Sequence, residues 1–187
     1  MHPAFLYLPG RRLSISELSA ARIDGDVVEL GELYVPADLV EGATLRAHAV
    51  LPMMPPGTAA AGPTAAWIHG AGDAPPTRHH VQRTTPHRPR VARHRRLVYH
   101  DRCLAAEDVV ILSGVAVTTP ERTLCDMLLA SGRDPGLEPW IRGLAVIAPS
   151  TVEYAGLALN TRRRVPGLHA ALRALDALRD AGPVRTT

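Results

Sequence analysis

An α+β fold is predicted by three features of this 187-residue chain. Strand-like runs lie mainly before residue 118, amphipathic helical runs lie mainly after it, and residues 115–128 hand a strand directly into a capped helix. The expected architecture is a small N-terminal unit over residues 1–52, a linker or joint over 53–63, and a mixed α+β domain over 64–187. Its sheet is expected to be mainly antiparallel, with the helices toward the C-terminus.

Each element has a local reason. Ser14-Ile15-Ser16-Glu17 opens a short helix with a capping box, and Asp24-Gly25 closes it. Val27 to Leu30 and Leu33 to Val35 alternate around Gly31 as a β-hairpin, and Pro36 blocks further ladder pairing. A second helix is expected over 38–51, where Leu39, Val40, Ala43, Leu45, Ala47 and Val50 recur, with Gly42 the weak point of the pattern. Residues 53–63 are dense in Pro, Gly and Ala and read as the joint.

A short helix is predicted over 64–70, with Thr64 near its start, Trp67 in the core, His69 packed, and Gly70 as the left-handed terminus. Strands follow at 78–83, 96–100, 108–112 and 115–117, in the manner of a meander. Thr118-Thr119-Pro120-Glu121 then offers either a capping box from Thr118 or an N-cap at Thr119 with proline at the first helical position. In the helix that begins there, Leu124, Met127 and Leu128 share one face, and Arg122 and Asp126 lie one turn apart where they can pair. Residues 139–144 and 151–159 are read as helical, and 168–178 as an amphipathic helix.

Composition narrows the chemistry. All 21 basic residues are arginine, so lysine-dependent phosphate loops, Schiff bases and the lysine of common magnesium nuclease sites are excluded. The apolar runs are too short to span a bilayer, and residues 1–10 lack the pattern of a secretory leader; a cytoplasmic protein without membrane association is expected. Cys103 and Cys125 lie outside any Cys-x-x-Cys spacing and read as reduced thiols.

Although the net charge is only +3, it is unevenly spread. Residues 1–60 carry four arginines against seven acids, residues 61–102 carry eight against two, and residues 103–187 carry nine of each. The basic middle makes Arg78, Arg83, Arg88, Arg90, Arg93, Arg95 and Arg96 the candidate nucleic-acid or partner-binding residues. His79, His80, His87, His94 and His100 accompany them, but no metal-ligand spacing does and the arginines would repel a divalent cation, so neither a metal nor a cofactor is expected. Glu107 and Asp108 are adjacent on a predicted strand and would point to opposite faces, which argues against a shared acid–base site. Arg162-Arg163-Arg164 reads as a basic loop that would extend the basic face if folded nearby.

Taken in order, the N-terminal helix and the hairpin ending at Leu33-Tyr34-Val35-Pro36, then Thr64-Ala65-Ala66-Trp67-Ile68-His69-Gly70, then Val115-Ala116-Val117-Thr118-Thr119-Pro120-Glu121-Arg122-Thr123-Leu124-Cys125-Asp126, resemble the AbiEi-type antitoxin family. The resemblance spans residues 13–130. It implies a winged-helix-like N-terminal unit that binds operator DNA and represses its own operon, followed by a domain that counteracts a cognate nucleotidyltransferase-like toxin of a type IV toxin–antitoxin system serving phage defence. Only one clear helix precedes the hairpin here, so the unit is a reduced one with no recognisable recognition helix for the major groove. The resulting expectation is a non-enzymatic antitoxin and autoregulatory repressor. Its alternatives are a degenerate endonuclease-related enzyme and a stand-alone nucleic-acid-binding regulator.

Overall fold

Ser14 starts the chain's first helix as its spacing requires. In the computed structural model, which describes residues 6–31, 33–88 and 94–180, the Ser14 side chain accepts a bond from the Glu17 N–H while Glu17 accepts from the Ser14 N–H. Helix α1 (Ile15–Asp24) ends on Gly25, whose φ of 83° is the left-handed conformation that glycine adopts without steric cost. Strands β1 (Val27–Leu30) and β2 (Leu33–Pro36) then pair antiparallel, and Tyr7 joins the hairpin through two backbone bonds to Tyr34 of 2.9 Å each. Among the described residues, α1 is the only helix before the hairpin.

Helix α2 (Ala43–Val50) is shorter than the sequence predicts. Gly42 sits extended at its N-cap with no side chain to bond the first amides, so residues 38–42 stay outside the helix. The expected joint contains a second difference. Thr58, Ala59 and Ala60 form β3 (Thr58–Ala60), the central strand of a five-stranded sheet, with all three residues buried. Small side chains suit a strand covered on both sides, and that composition also reads as a linker in one dimension.

Helix α3 (Gly62–Ile68) begins with Pro63 in its first turn rather than at Thr64. The Thr64 hydroxyl instead accepts the His80 N–H at 2.8 Å, tying the helix to strand β4 (His79–Arg83). Strands β5 (Leu97–His100), β6 (Val109–Leu112) and β7 (Val115–Thr118) complete the sheet in the order β5-β4-β3-β7-β6. The α+β class holds. The pairing is evenly mixed, however: β4 with β3 and β6 with β7 are antiparallel, while β4 with β5 and β3 with β7 are parallel. The meander fails because β5 returns beside β4 in the same direction and β7 beside β3, an arrangement set by crossovers that strand periodicity does not encode.

Thr119 caps helix α4 (Pro120–Ser131) by accepting the Arg122 N–H, with Pro120 in the first turn. Helices α5 (Glu138–Ile147), α6 (Ser150–Asn160) and α7 (Leu168–Asp180) follow and pack with α4 around Leu124, Leu128, Ile141, Leu144, Leu159 and Leu175. A second core joins the hairpin and α2 to the sheet. There Leu33, Val35, Leu45 and Val50 meet Ala60, Trp67, Ile68 and Val117. The N-terminal unit and the sheet domain thus share one hydrophobic core.

Candidate functional site

The strand-to-helix handover is a polar latch inside the fold. Arg122 is nine-tenths buried; its Nε donates to Asp126 Oδ2 at 2.6 Å, one turn along α4, and its Nη1 donates to Asp108 Oδ2, just before β6. Burial opposes the guanidinium charge, but the two carboxylates hold it above its ordinary pKa. The backbone of the same corner is equally bound: the Thr119 N–H donates to the Asp108 carbonyl at 2.9 Å. Thr118 and Thr123 share a buried hydroxyl contact of 2.6 Å, and His69 Nε2–H donates to the Thr118 carbonyl at 2.7 Å, as its apolar surroundings on α3 predict for a packed histidine. The Asp108–Arg122 pair is invisible in sequence because its partners lie 14 residues apart on different elements.

Beyond the latch, a cleft of about 410 Å³ lies between the β4–β5 strand pair, α4 and the loop before α7. His80, Gln82, His100 and Arg102 line it from the sheet side, and Arg122, Asp126 and Arg133 from α4 and its end. His80 Nδ1 is 3.1 Å from His100 Nε2, a hydrogen bond in which one ring nitrogen carries the proton. The parallel register creates this meeting: His80 faces Val98, and His100 faces Gln82, so the two rings are diagonal neighbours on one sheet face. Among the described residues no group of three or more metal-ligating side chains is assembled.

The arginines chosen from sequence separate to opposite ends of the β4–β5 pair. Arg78, Arg95 and Arg96 stand exposed where both strands begin. Arg83 and Arg88 lie at the other end, about 13 Å along the strand at roughly 3.3 Å per residue. There, Arg83 is largely buried, donating through Nε to the Asp101 carbonyl at 2.9 Å and through Nη1 to the carbonyls of Thr85 and Pro86, while exposed Arg88 pairs with Asp101. Arg83 thus pins the turn after β4. Arg90 and Arg93 lie outside the described residues.

With this geometry in place, a family model, the AbiEi antitoxin C-terminal domain, matches residues 58–140. That stretch is similar to AbiEi-type antitoxins, as its motifs suggest. No curated protein matches it. The matched AbiEi domain begins at β3, takes in the whole five-stranded sheet and the latch, and ends at the start of α5. The match supports an antitoxin of a toxin–antitoxin system, which implies a toxin as counterpart. Among the described residues no helix is long and apolar enough to cross a membrane.

Three histidines of this region, His69, His80 and His100, are held below the ordinary imidazole range. Burial, with His100 and Arg78 adding to it, lowers His80 from an ordinary 6.5 to about 4, against the opposing pull of Asp134. Burial likewise lowers His100, opposed by Asp126, and His69, opposed by the Thr118 carbonyl and Glu121. Below about pH 6.5 the unfolded chain takes up protons that the native histidines resist, so stability is full above that pH and declines as pH falls toward 4. Thermal melting at about pH 7.5 and about pH 5 checks this. The midpoint is expected to be lower in acid, and the double change His80→Gln with His100→Gln is expected to narrow the gap. Burial on the inner face of α4 pushes the Cys125 thiol up to about 11, which disfavours the reactive thiolate at neutral pH.

Proposed function

We propose that this chain is a non-enzymatic, cytoplasmic antitoxin that counteracts a nucleotidyltransferase-like toxin of a type IV system serving phage defence, and that it represses its own operon. The observation that carries the reading is the AbiEi match across 58–140, laid over a complete sheet. Pairing supports the non-enzymatic part, because Asp108 and Asp126, the carboxylates brought together at the latch, are both engaged by Arg122. In this reading residues 1–52 form a reduced winged-helix-like unit, and the domain that acts against the toxin takes in strand β3 from the expected 53–63 joint together with residues 64–187.

Operator contact is assigned to the β1–β2 hairpin together with the exposed basic end formed by Arg78, Arg95 and Arg96; Arg88, Arg90 and Arg93 belong to the same basic stretch of sequence, with Arg88 at the far end of the strand pair beside Asp101. Arg83 is held in its turn and serves the fold first. Binding of a labelled promoter fragment across a salt series tests the repressor part. The triple change of Arg78, Arg95 and Arg96 to Ala is expected to flatten the slope of log K against log salt by about 0.9 for each phosphate that those side chains neutralise. An unchanged slope would remove that end of the sheet from the footprint, and absence of promoter binding by the unaltered chain would remove autoregulation.

A further inference from the structure

The His80–His100 cleft has the chemistry of an anion site with an apolar wall. Its cations come from separate elements: Arg102 follows β5, and Arg133 follows α4. Neither guanidinium has an ion-pair partner among the described residues, whereas both acids of the cleft are engaged. Asp126 is held by Arg122, and Asp134 accepts the Gly136 N–H at 3.1 Å. The lining includes Arg122, whose Nη2 is buried without a hydrogen-bond partner although its Nε and Nη1 each donate to a carboxylate. A buried donor left in this condition costs stability that an incoming acceptor can return.

The lining also has an apolar part, to which Pro63, Leu137, Val165 and Pro166 contribute. Val165 and Pro166 directly follow the Arg162-Arg163-Arg164 run, so the loop that closes this side brings further positive charge to the rim. Gly167 fixes that loop. Its φ is +84°, and a Cβ there would strike the Leu129 carbonyl of α4, so only glycine lets the loop approach so closely. A space of about 410 Å³ exceeds what a bare inorganic anion fills and falls within the roughly 300–1,000 Å³ of small-molecule sites.

We infer that this cleft binds a nucleotide through its phosphate monoester, with Arg102 and Arg133 clamping the phosphate oxygens and the sugar and base lying against the Pro63, Val165 and Pro166 wall. Arginine's planar fork matches phosphate oxygens with paired bonds, and the wall takes an apolar ring face. His80 and His100 supply a ring N–H toward the same oxygens. The shared chemistry fits both a free mononucleotide and the 5′-phosphorylated end of a strand. It is independent of the antitoxin reading, since it rests on the cleft alone.

Calorimetric titration of the full chain with the four ribonucleoside 5′-monophosphates, and separately with a short oligonucleotide bearing either a 5′-phosphate or a 5′-hydroxyl, tests it. A mononucleotide that binds at least tenfold more tightly than its nucleoside supports the site with a free nucleotide as ligand. A tenfold preference confined to the 5′-phosphorylated oligonucleotide supports it with a strand end as ligand. Arg102→Ala and Arg133→Ala, both at exposed positions, are expected to weaken either interaction at least tenfold while leaving the melting temperature unchanged. Absence of phosphate-dependent binding in both series, or binding unaffected by both variants, would overturn the assignment.

Discussion

Trp67→Ala is expected to destabilise the protein by about 4 kcal/mol, within the range for emptying a fully buried aromatic site. Trp67 is completely buried in the core that the N-terminal unit shares with the sheet. Its ring carries the Arg46 guanidinium at 5.2 Å from the centroid, and Arg46 Nη1 donates to the carbonyls of Trp67 and Gly72 at 2.7 and 2.9 Å. Glu41 holds the same guanidinium from the far side. Removing the indole therefore opens a cavity and loosens the clasp between α2 and α3 together. Urea unfolding followed by far-ultraviolet circular dichroism measures the loss. A change below about 1.5 kcal/mol would mean that the two regions do not depend on a common core.

Arg122→Met is expected to cost about 3 kcal/mol, because it leaves Asp108 and Asp126 facing each other without their shared cation. Methionine keeps most of the side-chain volume, so the loss reports charge pairing rather than a void. Both carboxylates are about three-quarters shielded, at 23% and 28% side-chain exposure, which places the expectation at the lower end for a broken buried pair. Arg122→Met combined with Asp108→Asn and Asp126→Asn should recover part of the loss, since the unpaired charges are then gone. If the triple variant were less stable than Arg122→Met alone, repulsion between the orphaned carboxylates would not be the cause.

Elements written by local signals were legible in the sequence. The Ser14–Glu17 capping box, the Gly25 stop, the Thr119 cap with Pro120, and the Arg122–Asp126 pair all depend on residues within one or two turns of each other. The resemblance to AbiEi-type antitoxins was legible for the same reason, because its motifs are contiguous stretches. What was not legible depends on register and crossovers. Strand β3 is read as a joint because Thr58-Ala59-Ala60 has no alternation when both faces are covered. The His80–His100 meeting requires β5 to run parallel to β4, and the Asp108–Arg122 bond requires β6 and β7 to fold back onto the start of α4.

The basic segment illustrates the same limit from the other side. Composition sees a single run from Arg78 to Arg96, but the strand pair sorts its described members to two ends and assigns Arg83 to backbone carbonyls. Meanwhile Arg102 and Arg133, far apart in the chain, come to one cleft. Charge density along a sequence and charge convergence in space are different quantities, and only the second decides what a surface can hold.

Growth rescue tests the antitoxin assignment most directly. The chain is co-expressed with the product of its adjacent reading frame in a host where that product alone arrests growth, and surviving colonies are counted. Recovery of colonies to the level of the toxin-free control is the predicted result. Continued arrest with both proteins present in soluble form would contradict it.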